Sequence, residues 1–187
     1  MRRIFWSLVV VLALSAVAFF RILPAVVESS MNRIDGKPLL AISPEAEALH
    51  RSLNVVDLHS DTLMWNRDLA APSNRGHEDL PRLIAGNVTL QVFASTTKTP
   101  KGQNYDSNPA DSDVLPPLLI AQGQPRRTWT SLLERSLFHA QKLDVAVSQS
   151  QGRLRKVSDQ GGLDQLLALR ARPDAPVGAM LDRKSVV

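Results

Sequence analysis

Asn54-Val55-Val56-Asp57-Leu58-His59-Ser60-Asp61-Thr62-Leu63 is the stretch on which the reading of the fold turns. A short run rich in β-branched and apolar residues reads as a buried strand, and it ends in a histidine and a carboxylate two residues apart. Successive strand side chains alternate faces, so Asp57, His59 and Asp61 are expected on one side and Val56 and Leu58 on the other. Polar groups then gather at the strand's C-terminal end, where parallel α/β sheets and barrels carry their chemistry. Imidazole with carboxylate suits a divalent transition metal. Taken alone, His-x-Asp is a weak motif. The plain alternative has His59 donating to a backbone carbonyl and Asp61 capping the helix that follows.

Composition narrows the classes. Hydrophobic residues make up 44% of the 187 and charged ones 21%, the balance of a globular chain with room for one domain. A formal charge of +4 comes without any dense Lys/Arg cluster interleaved with aromatics, so nucleic-acid binding is not expected. The chain has no cysteine, which excludes disulfides, cysteine-ligated zinc and a thiol nucleophile.

Met1-Arg2-Arg3 precedes an uncharged run from Ile4 to Phe20 interrupted only by Ser7 and Ser15, and Ile22-Leu23 extend it if Arg21 snorkels. About 20 apolar residues cross a bilayer as a helix, so residues 4–23 are expected to contact lipid. The leading arginines place the N-terminus in the cytoplasm by the positive-inside rule and send the remainder to the extracytoplasmic, periplasmic side. Ala16-Val17-Ala18 has the form of a signal-peptidase site, and cleavage there would release a secreted domain. Apolar character resumes at Leu23-Pro24-Ala25-Val26-Val27, which favours an uncleaved anchor over residues 1–27.

Residues 28–54 read as a polar linker and a lead-in helix, with Ser43 as N-cap and Pro44 in the first helical position. Gly76-His77-Glu78-Asp79-Leu80-Pro81-Arg82-Leu83 holds a second His-x-Asp, but Pro81 bars a central strand and Asp79 is placed to cap a short helix ending at Ala85-Gly86-Asn87. Val88 to Ala94 reads as a second strand, and the polar connection from Ser95 to about Ser112 as a rim over the site. From Thr128 to about Val147 a helix is expected to bury Trp129, Leu132, Leu133, Leu137, Ala140 and Leu143, with His139 beside that stripe. Another helix, preceded by Asp159 or Gly162, covers Leu163 to Arg170, and Val177 to Leu181 is a third strand. Strands alternating with helices specify α/β architecture with a parallel sheet. A complete (β/α)₈ barrel takes about 250 residues, so three strands would be its beginning.

These residues resemble the N-terminal part of the membrane dipeptidase (renal dipeptidase) family of zinc peptidases. The likeness rests on Val55-Val56-Asp57-Leu58-His59-Ser60-Asp61, Gly76-His77-Glu78-Asp79-Leu80-Pro81-Arg82-Leu83-Ile84-Ala85-Gly86, Gln91-Val92-Phe93 and Val177-Gly178-Ala179-Met180-Leu181, in the family's order. It implies that residues 55–181 are the first part of a metal-dependent TIM barrel preceded by a transmembrane helix. It further implies two zinc ions at the C-terminal mouth, dipeptides as substrates and His59 and Asp61 as metal ligands. A homodimeric full-length parent is compatible with it. The family's next motif, a glycine-flanked glutamate that bridges the metals, is not matched by Asp182-Arg183-Lys184-Ser185-Val186-Val187. Residues 182–187 instead resemble a translated sequencing adapter, which implies a natural reading frame that continues differently after Leu181. The remaining catalytic residues are then expected beyond this chain, and the chain itself is expected to be inactive. Competing readings are a membrane-tethered, non-enzymatic periplasmic module and a different metal-dependent amidohydrolase.

Overall fold

Residues 2–38 and 40–182 are described by the computed structural model. The expectation concerning Arg183-Lys184-Ser185-Val186-Val187 lies outside the described residues. Helix α1 (Arg2–Met31) carries mean hydropathy 2.4 in its apolar window and is, among the described residues, the one helix long and apolar enough to cross a membrane. It runs past the boundary expected at residue 27, so the polar linker begins only after Met31. Two short helices follow the local chemistry that predicts them. In α2 (Pro44–Ser52) the Ser43 hydroxyl accepts from Ala46 N, with Pro44 opening the helix. In α3 (Leu80–Ala85) the Asp79 carboxylate accepts from Arg82 N.

Four strands form one all-parallel sheet: β1 (Val55–Ser60), β2 (Val88–Ala94), β3 (Leu154–Lys156) and β4 (Val177–Asp182), in the order β1-β2-β4-β3. The sequence predicts three of them. The other, Leu154-Arg155-Lys156, is too short and too cationic to stand out as a strand, and is defined by its pairing with Val177 to Ala179. Connections between parallel strands need crossovers, supplied by α3, by α4 (Pro116–Ala121) with α5 (Leu132–Gln149), and by α6 (Gln160–Ala168).

The core lies on both faces of the sheet. On one, Leu83 of α3 and Leu143 and Ala146 of α5 pack with Leu63, Phe93, Val177 and Ala179; on the other, Leu166 of α6 packs with Leu90 and Val157. Strand β1 corrects the expectation of a buried strand. It is an edge, with Val56 44% and Leu58 73% exposed, because no other described segment pairs its outer side.

Helix α5 carries a second correction. Its buried stripe is Arg135, His139, Leu143 and Ala146, a helical spacing that shares only Leu143 with the apolar stripe read from sequence. Leu132, Leu133 and Leu137 are exposed. The polar half of the stripe is tolerated because Arg135 donates to the carbonyls of Thr97, Thr128 and Trp129 and to Asp113 Oδ2, each at 2.6 Å. Hydrophobic periodicity alone cannot find a buried face built around a guanidinium.

The last turns of α1 are packed into this domain. Glu28, fully buried, accepts from Arg67 Nε at 2.7 Å and Arg75 Nε at 2.9 Å. Gly76 N donates to the Asn32 carbonyl at 3.0 Å, and Gln122 Nε2 to the Pro24 carbonyl at 3.1 Å. Gly76 holds φ +72°, and a Cβ there would run into the Arg67 guanidinium. The start of the expected linker, Glu28 to Asn32, is therefore a packed joint, and the described residues that follow it up to Ile42 are exposed.

A β4 substitution tests the packing. A Cβ on Gly178 would collide with Leu166 Cδ2 and Leu90 Cδ1, where α6 presses on the sheet. Gly178→Ala is expected to destabilise the domain by about 1–3 kcal/mol, read as a lowered urea midpoint with unchanged m-value.

Candidate functional site

The C-terminal end of the sheet collects the polar side chains. Strand β1 ends at Ser60, and a register shift against β2 between Asp57 and Ser60 breaks the simple alternation expected from Asp57 to Asp61. Asp57 turns back on its own strand, its Oδ1 accepting from His59 N at 3.0 Å. Asp61 leaves the strand with φ −88°, ψ 18° and heads the 3₁₀ turn Thr62–Met64. Its Oδ1 still stands 3.5 Å from His59 Nε2, both side chains about two-fifths exposed. The two residues read from sequence as a pair are thus brought together, by the bend at the end of the strand.

Of the residues just past β2, Thr96 holds Asp61 and its two neighbours reach α5. Thr96 Oγ1 donates to Asp61 Oδ1, Ser95 Oγ lies 3.1 Å from His139 Nδ1, and the Thr97 carbonyl accepts from Arg135. Three consecutive residues each engage a different partner, so the inner end of the long polar connection is part of the scaffold. Burial pushes the His139 imidazole down to about 4, the charge of Lys142 adding to the drop and that of Asp61 opposing it. His139 is therefore neutral at ordinary pH, and its buried Nε2 has no partner among the described residues. Its place on the buried face of α5, rather than beside an apolar stripe, ties it to the mouth of the sheet.

A cavity of about 160 Å³ opens beside Asp61, lined in part by Ser60, His77, Glu78, Trp65 and Asn32. His77, read from sequence mainly as part of a helix entry, is exposed at this cavity while Asp79 caps α3 as expected. Trp65 is 7% exposed and packs as core. The Ser60 hydroxyl donates to Glu78 Oε2, while Glu78 Oε1 is buried without a partner among the described residues. Burial pushes the Glu78 carboxyl up to about 7, with Asp57 and Asp79 adding to the rise and the Ser60 bond and Arg67 opposing it.

His59 and Asp61 are two potential metal donors, and among the described residues no group of three His, Asp or Glu side chains is placed to hold an ion. Thr96, Ser95, His139 and Glu78 are neighbours of the pair that the sequence reading misses. The signal for the first two is legible: Ser95-Thr96-Thr97 is a run of hydroxyl residues at the C-terminal end of a strand, the same position that singles out His59.

The Glu78 carboxyl makes stability depend on pH. Its folded-state pKa is raised from 4.5, so the fold favours the protonated form; that contribution is complete below about pH 4.5 and is lost as the pH rises through about 7. Glu78→Gln should match the parent's unfolding midpoint in acid and exceed it above pH 7, and equal midpoints at every pH would contradict the assignment.

No protein-family model, curated protein or solved structure matches this chain.

Proposed function

We propose that this chain is the N-terminal part of a zinc-dependent membrane dipeptidase, in which His59 and Asp61 are two of the metal ligands and the sheet is the opening section of a TIM barrel. One observation supports the reading above others. An imidazole and a carboxylate stand 3.5 Å apart at the C-terminal end of a parallel strand. Two ligand atoms each about 2.05 Å from a tetrahedral zinc would be about 3.4 Å apart, so the pair has the separation of one edge of such a site. The exposed, unpartnered side of β1 is compatible with a sheet that continues around a barrel.

The fit covers half a ligand set. Zinc takes about four donors, and His59 and Asp61 supply two. Bound there, the ion would polarise a peptide carbonyl and lower the pKa of its water. The protein's own part is positional. Thr96 holds the Asp61 carboxylate by donating to Oδ1, and the carboxylate in turn faces the His59 ring. In this reading α1 anchors the domain to the membrane with the domain on the periplasmic side, and the substrate is a dipeptide.

A membrane-tethered module without catalytic activity is the second reading, favoured by the absence of a third nearby donor among the described residues. Isothermal titration separates the two. The parent chain should bind zinc weakly and lose that binding in the His59→Ala/Asp61→Ala double variant, whereas equal titrations would remove the metal assignment. Dipeptide hydrolysis by the purified chain should be undetectable, and measurable zinc-dependent turnover would contradict the two-donor account. In a full-length parent that binds zinc, Thr96→Val should weaken affinity by about 10–100-fold, the usual cost of removing a group that orients a ligand.

A further inference from the structure

Among the described residues, the hydrogen-bond partners that α1 and Asn32 find in the domain lie at one end of the sheet. Arg67, Arg75 and Gly76 belong to the connection that leaves the C-terminal end of β1, and Gln122 to the one that leaves β2. These bonds seat the segment from Pro24 to Asn32 on the mouth of the sheet, and Asn32 itself lines the cavity beside Asp61. The turn before β4, around Asp174, belongs to the opposite end, where the strands begin.

Helix geometry converts this into a height above the membrane. The 20 residues from Ile4 to Leu23 span about 30 Å as a helix, the thickness of a bilayer's hydrocarbon core. Docking begins at the next residue, Pro24, and Asn32 follows eight residues on, about 12 Å further along the axis. The buried Glu28, held by Arg67 and Arg75, lies midway and makes the joint stiff. Arg21 and Arg33 bracket the docked segment with cations suited to lipid headgroups.

We infer that the domain is clamped to its anchor with the His59–Asp61 mouth turned toward the bilayer, so that the rim of the site lies against the lipid headgroup surface and the opposite end of the sheet points away. The partner is the membrane surface itself. This orientation does not depend on the peptidase reading, and its test measures distance, not activity.

The absence of native cysteine makes single-site labelling direct. The full-length chain would be reconstituted in phosphatidylcholine nanodiscs carrying a headgroup-linked energy-transfer acceptor. A donor dye would be placed at Asn74→Cys, an exposed position beside the joint, or at Asp174→Cys, exposed at the far end of the sheet. A strand of six residues separates the two levels by about 20 Å. Transfer should be several-fold stronger from position 74; equal transfer, or stronger transfer from position 174, would overturn the inference. Inserting a flexible Gly/Ser linker between Leu23 and Pro24 leaves the joint intact but cuts it from the anchor. The contrast between the two positions should then collapse with the far-ultraviolet circular dichroism unchanged. A contrast that persists in the linker variant would overturn the role of the continuous helix. Glu28→Ala should also reduce the contrast, and a full contrast in a folded Glu28→Ala chain would overturn the clamp.

Discussion

The guanidinium of Arg67 sits where three parts of the molecule meet. It donates to Glu28 of α1, to Thr62 in the turn that follows the site strand and to the Glu78 carbonyl beside the cavity. Its side chain is 6% exposed and that of Glu28 is fully buried, so the charges are removed from water and must satisfy each other. Such a pair is costly to break, because either partner left alone is an uncompensated buried charge. The planar, multiply donating guanidinium is suited to the position in a way that lysine is not, since one group must reach three acceptors in fixed directions. The N-terminal apolar helix, the site turn and the entry to α3 are consequently mechanically continuous.

A second arginine plays a parallel part on the other side of the mouth. Arg135 holds the inner end of the long polar connection to α5, and Lys142 of the same helix donates to the Leu63 and Trp65 carbonyls. Burial pushes the Lys142 amine down to about 8. Irregular backbone at the mouth would otherwise carry unmet carbonyls, and cationic side chains from one regular helix meet them. The loops around His59 and Asp61 are therefore held by a small number of long polar side chains more than by apolar packing.

This division explains what can be read from the sequence. Local chemistry is decided by neighbours in the chain, so the caps at Ser43 and Asp79 and the strand from Val88 to Ala94 are visible in it, while of the two starts the sequence offers for α6, Asp159 or Gly162, the cap is Asp159. Burial is decided by partners distant in the chain. Nothing local marks Arg135 and His139 as the inward face of α5, since their partners lie at Thr97, Asp113, Thr128 and Ser95. The same holds for Glu28, which reads as the first residue of a polar linker until Arg67 and Arg75 are known to close on it. The His59–Asp61 pair is legible because both residues lie in one short segment; Thr96 stands out only as part of a hydroxyl run at the end of β2, and its bond to Asp61, 35 positions away, is not legible.

The outer border of β1 has a further consequence. Its backbone amides and carbonyls point along a row that no described strand occupies, and Leu58 and Val56 stand beside that row in water. An open strand border of this kind is adhesive toward any extended peptide, including an identical one. Concentration and time thus become variables of the molecule's physical state, and any restraint on how two such borders can approach acts as a colloidal safeguard.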